Sequence, residues 1–106
     1  MNTLNFGNVT LNIYDVKKAS LSFRAINHKL RQQILGVIEQ SNNKIAVTEI
    51  YIKLRIEQSV CSQHLAILRN ASIVKTARDG KFIYYSINYT MLSVINEVAV
   101  TLLKAI

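Results

Sequence analysis

Ser59, Ser62, Gln63 and His64 place hydroxyl, amide and imidazole groups close together at the head of the segment SVCSQHLAILRNASIVKTARDGKFIYYSI, residues 59–87. These groups suit the reading of base edges. A Gln amide can bond N6 and N7 of one adenine, hydroxyls can bond bases or phosphates, and a good bidentate pair discriminates by about 1–3 kcal/mol. Cys61, Leu65 and Leu68 recur at spacings of four and three, which predicts a helix that buries one face. Ser59, Ser62, Gln63 and Ala66 then fall on the opposite face, where small or hydrogen-bonding side chains let a helix approach the floor of a groove. Alone, such a face would read as ordinary solvated surface. The segment that follows changes that reading, because Arg78-Asp79-Gly80-Lys81 interrupts two β-type runs and predicts a tight hairpin with a basic tip. Asp-Gly suggests a type I′ turn centred on Asp79 and Gly80. Arg78 and Lys81 would flank it, within reach of a phosphate or the minor groove. Thr48, near the start of a short upstream helix, is placed to anchor a phosphate at that helix terminus.

The elements that must hold these groups follow from periodicity. Residues 1–14 alternate weakly (Val9, Leu11, Ile13) and read as an N-terminal arm, with a short strand as the alternative. Asp15 can cap a first helix carrying Val16, Ala19, Phe23 and Ile26. Asn27 can cap a second, with Leu30, Ile34, Val37 and Ile38 on one face, ending at Ser41-Asn42-Asn43-Lys44. A third helix covers roughly Val47–Leu54, with no side-chain oxygen at Ala46 to cap it. The recognition segment runs from about Gln58 to Ala71. The last helix places Leu92, Ile95, Val98, Ala99, Leu102 and Ile106 along a stripe that Val94 and Leu103 widen beyond the needs of one small domain. Residues 15–106 thus read as one mainly α unit of about five helices and a two-stranded hairpin. There are no repeats, no low-complexity tracts and no Pro.

A chain of 106 residues can bury only a modest core, so further burial against a second copy is expected. Val16 and Phe23 of the first helix, with Leu92, Ile95, Val98, Ala99 and Leu102 of the last, are the expected homodimer surface. Thirteen Lys and Arg against six Asp and Glu give a net charge of +7, a balance that favours a polyanion. The distribution sharpens this: between Lys53 and Lys81 six basic residues stand against two acidic ones. A single Cys forms no intrachain disulfide and no multi-thiolate metal site within one protomer, which suggests a cytoplasmic protein. The N-terminus lacks the pattern of a secretory signal. Residues 89–106 carry Asn96 and Glu97 in mid-segment, where an acidic group costs about 2.5–3.5 kcal/mol on insertion scales, so a membrane span is not expected.

Three segments carry a family resemblance. AINHKLRQQIL (25–35), SVCSQHLAILRNASIV (59–74) and RDGKFIYYSI (78–87) are similar to A-L-S-H-P-L-R-x-x-I-L, S-T-V-S-Q-H-L-x-x-L-R-x-A-G-L-V and R-x-G-R-x-x-Y-Y-x-L of the ArsR/SmtB family of winged helix-turn-helix transcriptional regulators. The resemblance implies a homodimer built by the first and last helices, with two recognition helices entering successive major grooves of a palindromic operator. Two departures bear on the fold. Lys29 replaces Pro in a first turn that tolerates most residues. Ser72 replaces the Gly that ends the recognition helix, so either Ser72 bears a left-handed conformation at roughly 1–2 kcal/mol or the helix ends differently.

The larger departure concerns sensing. Metal-sensing relatives use Cys-x-Cys in the third helix or Asp and His in the last, because such metals need several converging ligands. Here the third helix reads VTEIYIKL and the last has no His, Cys or Asp. His28 and His64 read as a helix-start polar residue and a groove-side contact, and Cys61 as a small buried hydrophobe. No metal, cofactor or effector is expected from these residues, and no nucleophile, phosphate loop or carboxylate pair suggests catalysis. The expected function is sequence-specific binding of double-stranded DNA by a repressor. The alternatives are a protein-interaction module on the same scaffold and a nonspecific nucleic-acid binder.

Overall fold

The computed structural model describes residues 2–106. Its elements are β1 (Thr3–Phe6), β2 (Val9–Asn12), α1 (Ile13–Ile26), α2 (Lys29–Gln40), β3 (Ile45–Ala46), α3 (Val47–Leu54), α4 (Gln58–Asn70), β4 (Val74–Asp79), β5 (Phe82–Ile87) and α5 (Tyr89–Lys104). Five helices and a β4–β5 wing make the winged helix-turn-helix expected from the sequence. The third and fourth helices lie within a residue of their expected bounds, because their apolar spacing is regular and unambiguous.

The core is built where those spacings predict. Ile34 and Ile38 of α2, Ile50 of α3 and Cys61, Leu65 and Leu68 of α4 are fully buried, with Val74 and Ile87 closing the base of the wing. The terminal helices contribute little to it: α1 supplies Ala25 and α5 supplies Ile95. Ile95 therefore belongs to the protomer's own core, not to the exposed dimer surface expected for it, and Phe23 and Leu92 pack partly against that core. Val16, Val98 and Leu102 remain about half exposed.

Several local features differ from the sequence reading. Residues 3–12, expected as an arm, form an antiparallel hairpin in which Leu4 faces Leu11 and Phe6 faces Val9. Its two-residue loop opens with Gly7 at φ +62°, the Gly-first arrangement of a type II′ turn. The cap of α1 is Asn12, whose side chain accepts the Asp15 amide, while Asp15 occupies the first turn. The cap of α2 is His28, through Nδ1, and Asn27 instead closes α1. In the wing, Asp79 pairs with Phe82, so the loop is Gly80-Lys81. Gly80 at φ +63° takes the first central position. A I′ turn on Asp79-Gly80 would force Asp79 to positive φ, whereas this register asks that only of glycine. A third strand also joins the wing: β3 pairs with β5 through Ile45–Tyr85 and Ala46–Tyr84.

Ser72 resolves the question raised by its missing glycine. It adopts φ +60°, and the Ile73 amide bonds the Leu68 carbonyl while the Ser72 amide bonds the Arg69 carbonyl. This is a Schellman stop with a non-Gly residue at its left-handed position. Arg55, at φ +55°, ends α3 with the same bond pattern, to Tyr51 and Ile52. Relieving the strain at Ser72 with Ser72→Gly is expected to stabilise the fold by about 1 kcal/mol. Thermal melts at one fixed protein concentration check this; an unchanged or lower midpoint would show that the strain is absorbed elsewhere.

Candidate nucleic-acid interface

The α3–α4 pair and the wing pack on the same buried core, and each exposes polar residues to solvent. On α4, Cys61, Leu65 and Leu68 take the inner face completely, which obliges Ser59, Ser62, Gln63 and Ala66 to face solvent. The turn before it, Arg55-Ile56-Glu57, is held by the left-handed Arg55 and leaves the Arg55 side chain exposed. Thr48 is exposed in the first turn of α3, whose N-cap, Ala46, makes no side-chain bond to the free amides. Those amides are therefore available to an anion.

The wing supplies the second half. Its base is anchored by the buried Val74–Ile87 pair, while residues 77–83 are exposed. Arg78 lies opposite Ile83 one step from the turn, and Lys81 sits in the turn with Nζ 5.6 Å from the Phe82 ring centre. Lys44 adds a cation that the motif reading passed over. Its Nζ lies 4.7 Å from the Tyr84 ring centre, and only the register of β3 on β5 brings it to the wing. Asn43 was also missed: its side-chain oxygen accepts the Ile87 amide at 2.6 Å and ties the end of α2 to the wing base. Nothing in the local sequence signals a bond across 44 positions.

His64 is placed differently from the other polar residues of α4. Arg31, buried at 7% exposure, donates from Nε to the Ala25 carbonyl at 2.7 Å and from Nη2 to the Arg24 carbonyl at 3.1 Å. Its Nη1 lies 3.1 Å from His64 Nδ1, and the His28 ring stands 4.8 Å from the His64 ring. An Arg can only donate, so Nδ1 must accept, which assigns His64 the neutral tautomer with its proton on Nε2. This ring turns toward α1 and α2 instead of lying freely on the groove face. Burial, then His28 and Arg31, pull its pKa below the ordinary value. The unfolded chain thus binds the proton first as pH falls below about 6.5, so this group's effect is a loss of stability on acidification that levels off below its folded pKa. An NMR titration should show the His64 ring titrating below a free histidine; a midpoint at or above that of a free histidine would exclude the Arg31 bond in solution.

Cys61 is fully buried, and burial pushes its thiol pKa up. Such a thiol is a poor nucleophile and ligand. Among the described residues no group of three or more His, Cys, Asp or Glu converges as a metal site, and no helix is long and apolar enough to cross a membrane.

Comparison with known proteins agrees with this geometry. No family model matches the chain. It is 31% identical over 80 residues to the transcriptional activator HlyU of Vibrio cholerae, covering 76% of this chain and 72% of that one. To the transcriptional repressor SdpR of Bacillus subtilis it is 34% identical over 70 residues, covering 66% and 76%. The chain belongs to the winged helix-turn-helix transcriptional regulators related to HlyU and SdpR. Among solved structures, the transcriptional repressor PagR of Bacillus anthracis superposes with a TM-score of 0.64 at 28% identity, over 80% of this chain and 97% of that one. In this architecture α4 is the second helix of the helix-turn-helix and β4–β5 the wing.

Proposed function

We propose that this regulator is a homodimeric repressor of the ArsR/SmtB type that binds a palindromic operator in the cytoplasm. The observation that carries the reading is the joint exposure of Ser59, Ser62 and Gln63 on α4 with Arg78 and Lys81 on a rooted wing. Gln63 is the base reader, Ser59 and Ser62 bond bases or phosphates, Thr48 and the α3 terminus hold a phosphate, and the wing cations grip the backbone. His64 serves this site indirectly, by locking α4 to α2 through Arg31. SdpR and PagR, both repressors, support repression, while HlyU is an activator, so regulation of transcription is the shared feature. Dimerisation is supported by α5, a largely apolar helix that buries only Ile95 within the protomer.

Binding of the promoter DNA upstream of its own gene, compared with a scrambled duplex at near-physiological salt, tests this. A preference of at least a thousandfold is the expected result for a specific regulator. Equal affinity for both duplexes would make the protein a nonspecific binder, and no affinity for either would leave the scaffold to a protein partner.

A further inference from the structure

The β1–β2 hairpin has an apolar face with no cover. Because Leu4 opposes Leu11 and Phe6 opposes Val9, all four side chains project from one side of the two-stranded ribbon, with exposures of 39–61%. The other side is polar and internally bonded, Thr10 Oγ1 to Asn5 Oδ1 at 2.8 Å. An isolated two-stranded hairpin is marginal in water, and one with an uncovered apolar face needs a third layer. No Asp, Glu, Lys or Arg precedes Asp15, although the chain carries +7 overall. A surface without a cation suits neither a phosphate backbone nor an anionic lipid headgroup.

We infer that this hairpin is an intersubunit clasp whose apolar face closes on a second copy of the chain. The inference rests on the homodimer reading. Asn12 is both the last residue of β2 and the cap of α1, and the alternation Val9, Leu11, Ile13 carries the apolar face straight into the helix. There Ile13 and Val16 stay exposed at 37% and 52%, so the hairpin extends the same surface that α1 offers its partner. The complementary surface exists on the chain itself. The end of α5 exposes Leu102, Leu103 and Ile106 at 59%, 67% and 94%, with Lys104 as its sole charge. These two apolar surfaces, one without charge and one carrying a single Lys, cover one another when the two copies exchange them across a two-fold axis.

Sedimentation equilibrium of the wild-type chain, Phe6→Asp and Asn5→Asp tests the clasp. The two variants add the same charge to opposite faces of the hairpin. Phe6→Asp should raise the dimer dissociation constant at least tenfold, and Asn5→Asp, which keeps the acceptor for Thr10, should change it less than threefold. Hydrogen exchange of wild type provides a reading independent of any substitution: amides of residues 3–12 should be protected where dimer dominates and exchange freely on dilution to monomer. A dimer that tolerates Phe6→Asp, or amides equally protected in the monomer, overturns the clasp alone. A wild-type chain that is monomeric at every concentration removes the homodimer reading and the clasp with it.

Discussion

Val98→Glu should convert the regulator to monomers and lower its operator affinity by about two to four orders of magnitude, the avidity lost when two linked half-sites no longer act together. Val98 lies on α5 at 46% exposure, beside a small groove between α1 and α5 bounded by Ala19, Phe23 and Met91. The substitution leaves the fully buried core untouched, so the protomer should stay folded while the charge cannot be desolvated at an interface. Ile95→Glu is the contrasting variant. Because Ile95 is 9% exposed against the protomer's own core, its replacement should unfold the chain instead of merely separating it. Sedimentation together with circular dichroism distinguishes the two. A folded, dimeric Val98→Glu protein would place the interface elsewhere.

The second large effect separates base reading from backbone anchoring. Gln63→Ala should relax sequence preference and cost about 1–3 kcal/mol at the matching base pair of each half-site, with little change in salt dependence. Arg78→Ala and Lys81→Ala should weaken operator and scrambled duplexes alike and flatten log affinity against log salt by about one unit per lost phosphate contact per protomer. Titrations of both duplexes across several salt concentrations resolve the two signatures. If the wing variants keep the full slope and Gln63→Ala leaves discrimination intact, the DNA-facing surface has been misassigned.

The sequence was most legible where structure is local. The inward spacing of Cys61, Leu65 and Leu68 dictates the outward face of α4, and both its bounds and its exposed polar residues followed directly. Caps were less secure. Asn12 and Asp15, or Asn27 and His28, are chemically interchangeable acceptors, and tertiary position rather than type selects between them. The wing turn slipped by one residue because Asp-Gly and Gly-Lys both offer a glycine at a tight loop, and only the pairing of Asp79 with Phe82 decides the register. Long-range features were invisible. The Arg31–His64 bond joins residues 33 positions apart, and β3 is two residues that count as a strand only because β5 lies beside them. The apolar width of α5 was legible in its spacing, but not that Ile95 would be taken by the protomer's own core.

The rooted wing sets how far the proposed wing contact lies from α4. Its register runs without a bulge from the buried Val74–Ile87 pair to Asp79–Phe82, and its base is stitched to β3 and to Asn43. The tip therefore has a fixed reach, a ruler whose gradation is one cross-strand pair, about 3.3 Å. Single-pair changes invert the faces of the tip and point Arg78 the wrong way, so the ruler moves only in steps of two pairs, roughly 6.6 Å or about two nucleotides along one strand. For the proposed wing contact, the length of a bulge-free hairpin is thus a quantised coordinate, and the distance between α4 and the wing tip's cation changes in those increments.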